Sequence, residues 1–345
     1  MDKEEAKRTG KQSKESRRGM RQQISGSPLS SRLVTEKVMR DVHRVMQGQE
    51  FQSIEEANAF LARLAGPGLK EALKKAPTLS PQQEAQELAY RAMEAPTRTR
   101  ALPLAQQALA KDPDCVDALV TLAAASARSV EDLIAGLERA VEAGERSLGA
   151  QYFEENKGHF WGMLETRPYM RARQQLADLL LDAGRVSEAI GHFEALLDLN
   201  PNDNQGVRDI LLGCYLAGDD LDDAHRLLRV YDEDASAVFA WGRTLERVLS
   251  GDFKGAEHAL KYARNHNRFV ELYLTGKKKL PRAMPDSYSF GSEAEALICM
   301  ESMGEAWAGH PEALIWLLMQ IEEVREMDPV LRKKPRGNPG QRLLF

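Results

Sequence analysis

MRARQQLADLLLDAGRVSEAIGHFEALLDLNPND, residues 170–203, is the stretch that decides the fold. Leu176 and Ala177 lie on one side of a first predicted helix, and Gly184 ends this helix. A second helix follows, and Pro201 ends it. Small alanines let two helices approach closely, while glycine and proline enforce the turns. The stretch therefore predicts a hairpin of two antiparallel α-helices.

Similar helix pairs flank this stretch in the same register. Two are predicted upstream, over residues 80–113 and 119–140, and two downstream, over residues 203–228 and 241–263. Their residue types and intervals resemble the roughly 34-residue tetratricopeptide repeat. Each hairpin of such an array exposes apolar faces that only its neighbours cover. The predicted fold class is therefore all-α, a tetratricopeptide-like helical-repeat solenoid over residues 80–330, in which antiparallel helix pairs form a right-handed superhelix.

Residues 29–79 are predicted to form an N-terminal helical segment ahead of the solenoid. Apolar residues recur there at steps of three and four from about residue 30, which indicates a first helix. A second helix begins at Ser53, where the sequence SIEE is typical of a capping box with Glu56. We expect it to stop at the glycines of residues 66–68, and a poorly structured link to lead from there to Ser80.

The two ends of the chain are predicted to be flexible. Residues 1–28 form a basic arm, with eight basic and four acidic side chains among the first 23 residues, and residues 331–345 form a flexible tail that is frayed or whose apolar end is a docking motif. The arm either contacts a polyanion or a partner, or only keeps the protein in solution. Because the whole chain has 47 basic and 52 acidic residues, nucleic acid is not the expected partner.

Hydropathy and cysteine content predict a soluble cytoplasmic protein without a membrane partner. The longest apolar run, residues 313–321, has less than half of the roughly 20 residues that a membrane-spanning helix needs. No apolar segment follows the charged N-terminus, so a secretory signal is not predicted. Cys115, Cys214 and Cys299 are far apart in the sequence, which fits buried thiols in a reducing compartment.

Residues 82–318 resemble the tetratricopeptide-like region of the suppression-of-tumorigenicity family. The stretches that carry the resemblance are QELAYRAMEAPTRTRALPLAQQALAKDPDCVDALVTLAA (86–124), RARQQLADLLLDAGRVSEAIGHFEALLDLNP (171–201), HNRFVELYLTGKKKLP (266–281) and EAEALICMESMGEAWAGHPEALIWLL (293–318). The resemblance implies helical repeats and no catalytic residues. The eukaryotic relatives look membrane-anchored, but this chain lacks their apolar N-terminal segment and looks more like soluble bacterial members.

Motifs for catalysis or for a bound cofactor are missing from the sequence. It contains no HExxH, no GxSxG, no Walker-type loop and no GxGxxG after a strand. Its seven histidines are scattered, so no metal site is predicted. Asp198 and Asp209 match the first and last ligands of an EF-hand loop, but Asp203 stands where that loop needs glycine. We expect Asp203 to cap the next helix instead, and we predict a protein that is not an enzyme.

The predicted activity is binding of another protein by the first helix of each repeat. In tetratricopeptide repeats, positions 2, 5, 9, 12 and 13 of that helix face a groove. The candidate groove residues are Tyr90, Arg171, Gln174, Asp178, Arg208 and Tyr215. Aromatic and basic side chains of this kind suit an extended or helical peptide. We therefore predict a non-enzymatic scaffold or adaptor, and the same residues can also be read as solvated helix faces.

Residues 151–169 interrupt the repeats with a dense group of aromatic residues in a chain that is only 6% aromatic. One interpretation is a second recognition surface, or a ligand-sensing or enzymatic site, because aromatic and arginine side chains dominate interface hot spots. Its candidate residues are Glu154, His159, Trp161 and Arg167. The other interpretation is an ordered loop whose rings pack between hairpins. Charged clusters elsewhere, such as the acidic residues 219–223 and the basic residues 277–279, could guide a charged partner or self-association.

Overall fold

The computed structural model describes residues 28–47 and 49–327 of the chain, and the secondary structure of these residues consists of helices joined by turns and loops, without a strand. The predicted arm, apart from Pro28, and the predicted tail over residues 331–345 lie outside the described residues. The chain divides between Ala183 and Gly184 into two compact units, here called unit 1 and unit 2. The division falls at Gly184, the glycine that was predicted to form the turn between the two helices of residues 170–203.

Unit 1 consists of helices that pack mainly in sequence-adjacent pairs. They are α1 (Pro28–Met46), α2 (Ile54–Arg63), α3 (Pro67–Leu73), α4 (Pro81–Met93), α5 (Arg98–Lys111), α6 (Val116–Ser126), α7 (Val130–Leu148), α8 (Ala150–Asn156), a 3-10 turn (Phe160–Gly162) and α9 (Arg167–Asp182). Helix α4 pairs with α5, and α6 with α7, as predicted. In addition, α4 packs on α6 and α6 on α9, so the first helices of successive pairs are neighbours.

Small residues set the close spacing of these pairs. One core cluster is made almost entirely of buried alanines from α4, α5 and α6, with Leu88, Leu104 and Leu109 packed around it. Where α6 meets α7, a Cβ at Gly136 would lie 2.5 Å from the Cβ of Ala123, so only glycine permits this approach. The structure thus confirms the role that the sequence analysis assigned to small residues.

The N-terminal segment differs from the prediction in one element. Ser80 caps α4 in a capping box with Gln83, and Ser53 caps α2, as expected. However, α2 ends at Arg63, and the glycine-rich stretch begins a further short helix, α3, where a poorly structured link was expected. Pro67 occupies the first turn of α3, a position that suits proline because the amide there needs no partner within the helix.

Unit 2 also contains sequence-adjacent helix pairs. Its helices are α10 (Val186–Leu199), α11 (Val207–Ala217), α12 (Leu221–Val230), α13 (Ala237–Leu249), α14 (Phe253–His266), α15 (Phe269–Leu274), α16 (Glu293–Gly309) and α17 (Pro311–Met327). Helix α11 pairs with α12, and α13 with α14. The carboxylate of Asp203 accepts hydrogen bonds from the amides of Val207 at 2.8 Å and Arg208 at 3.0 Å, so this residue caps α11 as predicted.

Helix α16 packs across both α11 and α13, an arrangement that the repeat pattern did not predict. A Cβ at Gly213 of α11 would collide with the backbone carbonyl of Ser302 in α16. Trp241 of α13 and Trp307 of α16 are fully buried, with ring centroids 6.2 Å apart in edge-to-face geometry. The contact is close and largely apolar, and it includes one buried carboxylate of α16, Glu295, which accepts hydrogen bonds from the Ala237 amide at 3.0 Å and from Asn267 at 2.9 Å.

The structure bears on the expected burial of the cysteines and on the search for a membrane-spanning helix. All three cysteines are free and buried, as predicted. Between residues 28 and 327, leaving out Gly48, no helix is both long and apolar enough to cross a membrane.

Candidate functional site

The most polar buried site of unit 1 is built around Glu36, a residue of α1 that lies against α4 and α9. The carboxylate of Glu36 accepts a hydrogen bond from the Tyr90 hydroxyl at 2.5 Å. It also accepts two from the Arg171 guanidinium, at 2.8 and 3.1 Å. Glu36 is only 4% exposed. A carboxylate of the N-terminal helix is thus held by two of the six residues predicted to line the groove.

Asp117 of α6 forms the floor beneath this carboxylate. Its Oδ2 lies 2.6 Å from Nη2 of Arg171 and 2.6 Å from Nε2 of Gln86. We call the four residues Gln86, Tyr90, Asp117 and Arg171 the inner face of unit 1. They come from α4, α6 and α9, and they lie close together because α6 packs on both α4 and α9.

Electrostatics keep the inner face in one ionisation state. Burial by itself would lower the pKa of Arg171, but the carboxylates of Asp117 and Glu36 outweigh it and raise the pKa above its ordinary value. Burial, and then the charge of Glu36, raise the pKa of Tyr90 well above its ordinary value. Arg171 therefore stays charged and Tyr90 stays protonated, so both donate hydrogen bonds to an anion.

Basic residues of α1 meet acidic residues at the rim of the inner face. Nζ of Lys37 lies 3.1 Å from the carboxylate of Glu94, and Arg40 forms an ion pair with Glu87. The Arg40 guanidinium also stacks over the Tyr90 ring, 4.8 Å from its centroid. The charges of α1 and of α4 are therefore complementary along one line of contact.

The aromatic residues of the insert pack mostly on one another. Phe160 is fully buried, and its ring lies 4.9 Å from that of Phe153 and 6.3 Å from that of Tyr169, measured between centroids. Glu154 and His159 are exposed. These contacts are those expected of an ordered loop whose rings fill the space between α8 and α9.

One residue of the insert, Arg167, reaches the Glu36 site, and Trp161 contacts its guanidinium. Nη1 of Arg167 lies 3.7 Å from the Glu36 carboxylate, and its Nε donates a hydrogen bond to the Trp161 carbonyl at 3.1 Å. The guanidinium also lies over the Trp161 ring, 5.4 Å from the centroid. The structure thus brings Arg167 of the insert set together with Tyr90 and Arg171 of the groove set.

Further along α9, the predicted groove residues are less basic. Gln174 and Asp178 follow Arg171 by one and two turns. Burial raises the pKa of Asp178 to about 7, and repulsion from the carboxylate of Asp182 adds to the shift. The face of α9 that carries these residues therefore changes from basic at its N-terminal end to a weakly acidic, readily protonated end.

The two predicted groove residues of unit 2 have partners of their own. Nη2 of Arg208 lies 2.6 Å from the Asp234 carboxylate, and its guanidinium stacks over the Tyr231 ring. Tyr215 is buried and donates a hydrogen bond to Glu194 of α10 at 2.7 Å. In the structure both side chains therefore hold helices of unit 2 together.

Sequence reasoning missed Glu36 and Asp117, the two carboxylates of the site. A signal for Asp117 existed, since it falls near the start of the first helix of its repeat, as Arg171 does in the next repeat. No local signal existed for Glu36, because its partner Arg171 lies 135 residues away in the chain. Periodicity along a helix carries no information about such a distant pair.

The side chains of the site are arranged so that they can hold an anion by fixed donors. Two guanidinium groups and a hydroxyl converge on one carboxylate, and no nucleophile and base pair stands beside them. Among the described residues, no group of three or more histidine, cysteine, aspartate or glutamate side chains could hold a metal ion. No model of a known protein family matches the chain, and no curated protein matches it.

Proposed function

We propose that the protein is a non-enzymatic scaffold or adaptor, a tetratricopeptide-like protein that binds a helical segment of a partner protein on the inner face of unit 1. One observation carries this proposal: a helix, α1, already lies on that face and is held there through the side chains Tyr90 and Arg171. Helix-in-groove recognition is a common mode of peptide binding.

The arrangement of donors supports binding of a helix that carries a carboxylate. Nη1 of Arg171 lies within hydrogen-bond distance of both Glu36 oxygens, and hydrogen bonds between two charged groups are stronger than those between neutral groups. Asp117 fixes the guanidinium from the opposite side, so the donor is positioned before a ligand arrives. Preorganised donors of this kind reduce the entropy cost of binding.

The alternative proposal, a ligand-sensing or enzymatic site around residues 151–169, has less support. The rings of Phe153, Phe160 and Tyr169 pack on one another, and those of Phe160 and Tyr169 are buried. A thermal-shift screen with metabolites and metal ions tests it, because a ligand at 100 times its Kd stabilises the folded state by about 2.7 kcal/mol. A reproducible shift that is lost on substitution of the exposed His159 would favour the alternative.

Site-specific photo-crosslinking in cells tests the proposed function. A benzoylphenylalanine at Gln174, on the same side of α9 as Arg171, is expected to yield one discrete adduct with another protein. The matched control is the same residue at Gln107, which is exposed on α5. The proposal fails if both positions give the same adducts, or if neither gives an intermolecular adduct.

A further inference from the structure

Each unit covers an internal face with one of its own helices, and the two contacts differ in chemistry. In unit 2, α16 buries a hydrogen-bonded glutamate, Glu295, but most of its buried side chains are apolar, and it meets α11 so closely that Gly213 faces the carbonyl of Ser302. Such a contact is dry and tightly packed, and separating it would expose Met303 and Trp307 to water. Helix α16 is therefore a permanent part of its unit.

Helix α1 makes the opposite kind of contact in unit 1. Its charged side chains face the protein, whereas Val34, Val38 and Met39 are 55%, 47% and 42% exposed. Among its described side chains, only Leu33, Glu36 and Val45 are buried. An amphipathic helix that is a fixed part of a core turns its apolar stripe inward. Leu33 and Val45 are apolar anchors of α1, whereas its side-chain contacts with Tyr90, Glu94 and Arg171 are hydrogen bonds and ion pairs, which water can replace.

Without α1, Gln86, Asp117 and Arg171 of the inner face keep one another as partners, whereas the Tyr90 hydroxyl loses its acceptor Glu36. Asp117 accepts hydrogen bonds from both Arg171 and Gln86, so removal of Glu36 leaves no unpaired charge at the floor. The rim carboxylates of Glu87 and Glu94 are about one-third exposed already, with side-chain values of 32% and 36%. The face is therefore built to persist when its occupant leaves.

The contacts of α1 define what this face recognises. Glu36 meets the donors Tyr90 and Arg171, Lys37 meets Glu94, and Arg40 meets Glu87. The spacing is a carboxylate followed by basic side chains one and four residues later; Glu36 and Arg40 share a helical face, and Lys37 lies to one side of it. A partner helix with this pattern would make the same set of contacts, charge for charge.

We propose that α1 is an exchangeable internal ligand of the inner face of unit 1, and that the partner which displaces it is an α-helix carrying a glutamate with basic residues one and four positions after it. This inference rests on the proposed function, because it names the partner chemistry of that same site. The tether places α1 at a high effective concentration, typically in the millimolar range, so the intact chain is self-occupied.

The test releases α1 from the folded full-length chain. A protease recognition sequence is inserted after Gln49, in the exposed link between α1 and α2, and the purified protein is cleaved there. The probe is a fluorescent synthetic peptide of residues 28–47, and its binding is followed by anisotropy. After cleavage and removal of the fragment, we expect saturable binding that is at least 50-fold tighter than to the uncleaved chain.

Matched variants test the chemistry of recognition. A peptide with Glu36→Gln is expected to bind at least tenfold more weakly, while a peptide with Val38→Ala, altered on the exposed side, binds within twofold of the original. In the chain, Tyr90→Phe removes only the hydroxyl that donates to Glu36 and should weaken binding several-fold. Its effect should largely vanish with the Glu36→Gln peptide, because the two changes remove the same interaction.

Three outcomes would overturn the inference. The fragment remains bound through size-exclusion chromatography at nanomolar concentration, or its loss abolishes the helical circular dichroism of the remainder, or the peptide binds without dependence on Glu36. The proposed function fails separately, since crosslinking at Gln174 reports on a partner whatever α1 does. A crosslinked partner that binds equally before and after cleavage would leave the scaffold function in place and exclude the displacement of α1.

Discussion

Glu36→Gln is the most direct probe of how α1 is held, because it keeps the shape of the side chain and removes its charge. The wild-type carboxylate accepts hydrogen bonds from Tyr90 and, through both oxygens, from Arg171. Hydrogen bonds to charged groups contribute about 1.5–3 kcal/mol each. The amide still has one accepting oxygen, so we expect α1 to lose about 2–3 kcal/mol of its docking free energy.

Native-state hydrogen exchange, resolved to peptides by mass spectrometry, measures this loss locally. Since every 1.4 kcal/mol is a factor of ten in an equilibrium, amides of α1 should exchange roughly 30- to 150-fold faster in the variant. Amides of α4, α6 and α9 should keep their rates, because Asp117 continues to hold Arg171. Val38→Ala, on the exposed side of the same helix, is the control and should change the rates of α1 by less than about threefold.

Two results would refute this reasoning. If exchange in α4, α6 and α9 accelerates as much as in α1, then α1 unfolds only together with the whole unit and is a structural element. If exchange in α1 does not change, then the pairing of Glu36 with Arg171 does not hold the helix in place.

Three further predictions concern the stability of the two units. Gly213→Ala should destabilise unit 2 by about 1–3 kcal/mol in urea denaturation, because the new methyl group forces α11 and α16 apart. The control Gly191→Ala, with open space around its Cβ, should be neutral or up to about 1 kcal/mol stabilising. Equal effects of the two substitutions would exclude the close crossing. By the same assay, Phe160→Ala should lower the free energy of unfolding by about 3–5 kcal/mol, because the ring is fully buried. The control Phe253→Ala, at a side chain that is 54% exposed, should lower it by about 1 kcal/mol or less. A small effect at Phe160 would argue against the packed aromatic cluster. The pKa of Asp178 is raised to about 7 in the folded state, so the protein loses stability as the pH rises from about 4 through 7. Asp178→Asn should therefore gain stability relative to wild type between pH 5 and pH 8. A difference in stability that does not change with pH would contradict the shift.

Helices α1 and α16 each cover the exposed face of neighbouring helices, but they do so with side chains of different chemistry. A stack of hairpins leaves faces that must be covered, and this chain covers two of them with its own helices. Apolar packing around Trp307 makes one cover permanent, whereas charge pairing at Glu36 makes the other replaceable. The difference lies in which side of the helix is turned inward, since the sequence of α1 has both apolar and charged residues.

The site also shows how residues from two separate predictions form one structure. Arg171 was predicted as a groove residue and Arg167 as part of the aromatic insert, and they are one turn apart on α9. Both therefore approach Glu36, although Arg171 makes the close contact. Helical geometry explains why a groove and the end of an insert meet, because residues four positions apart share a helix face.

The amino-acid sequence by itself determined most of the helices and the pairing of α4 with α5, α6 with α7, α11 with α12 and α13 with α14. Alanine and leucine at steps of three and four, with glycine or proline at the ends, specify hairpins such as α4 with α5 through contacts close in sequence. Only the tertiary structure decided which face of α1 is buried, that α16 crosses α11 and α13, and that Glu36 meets Arg171 across 135 residues. Periodicity records which side of a helix is apolar, but the burial of a charge depends on a partner that only the folded chain brings within hydrogen-bond distance.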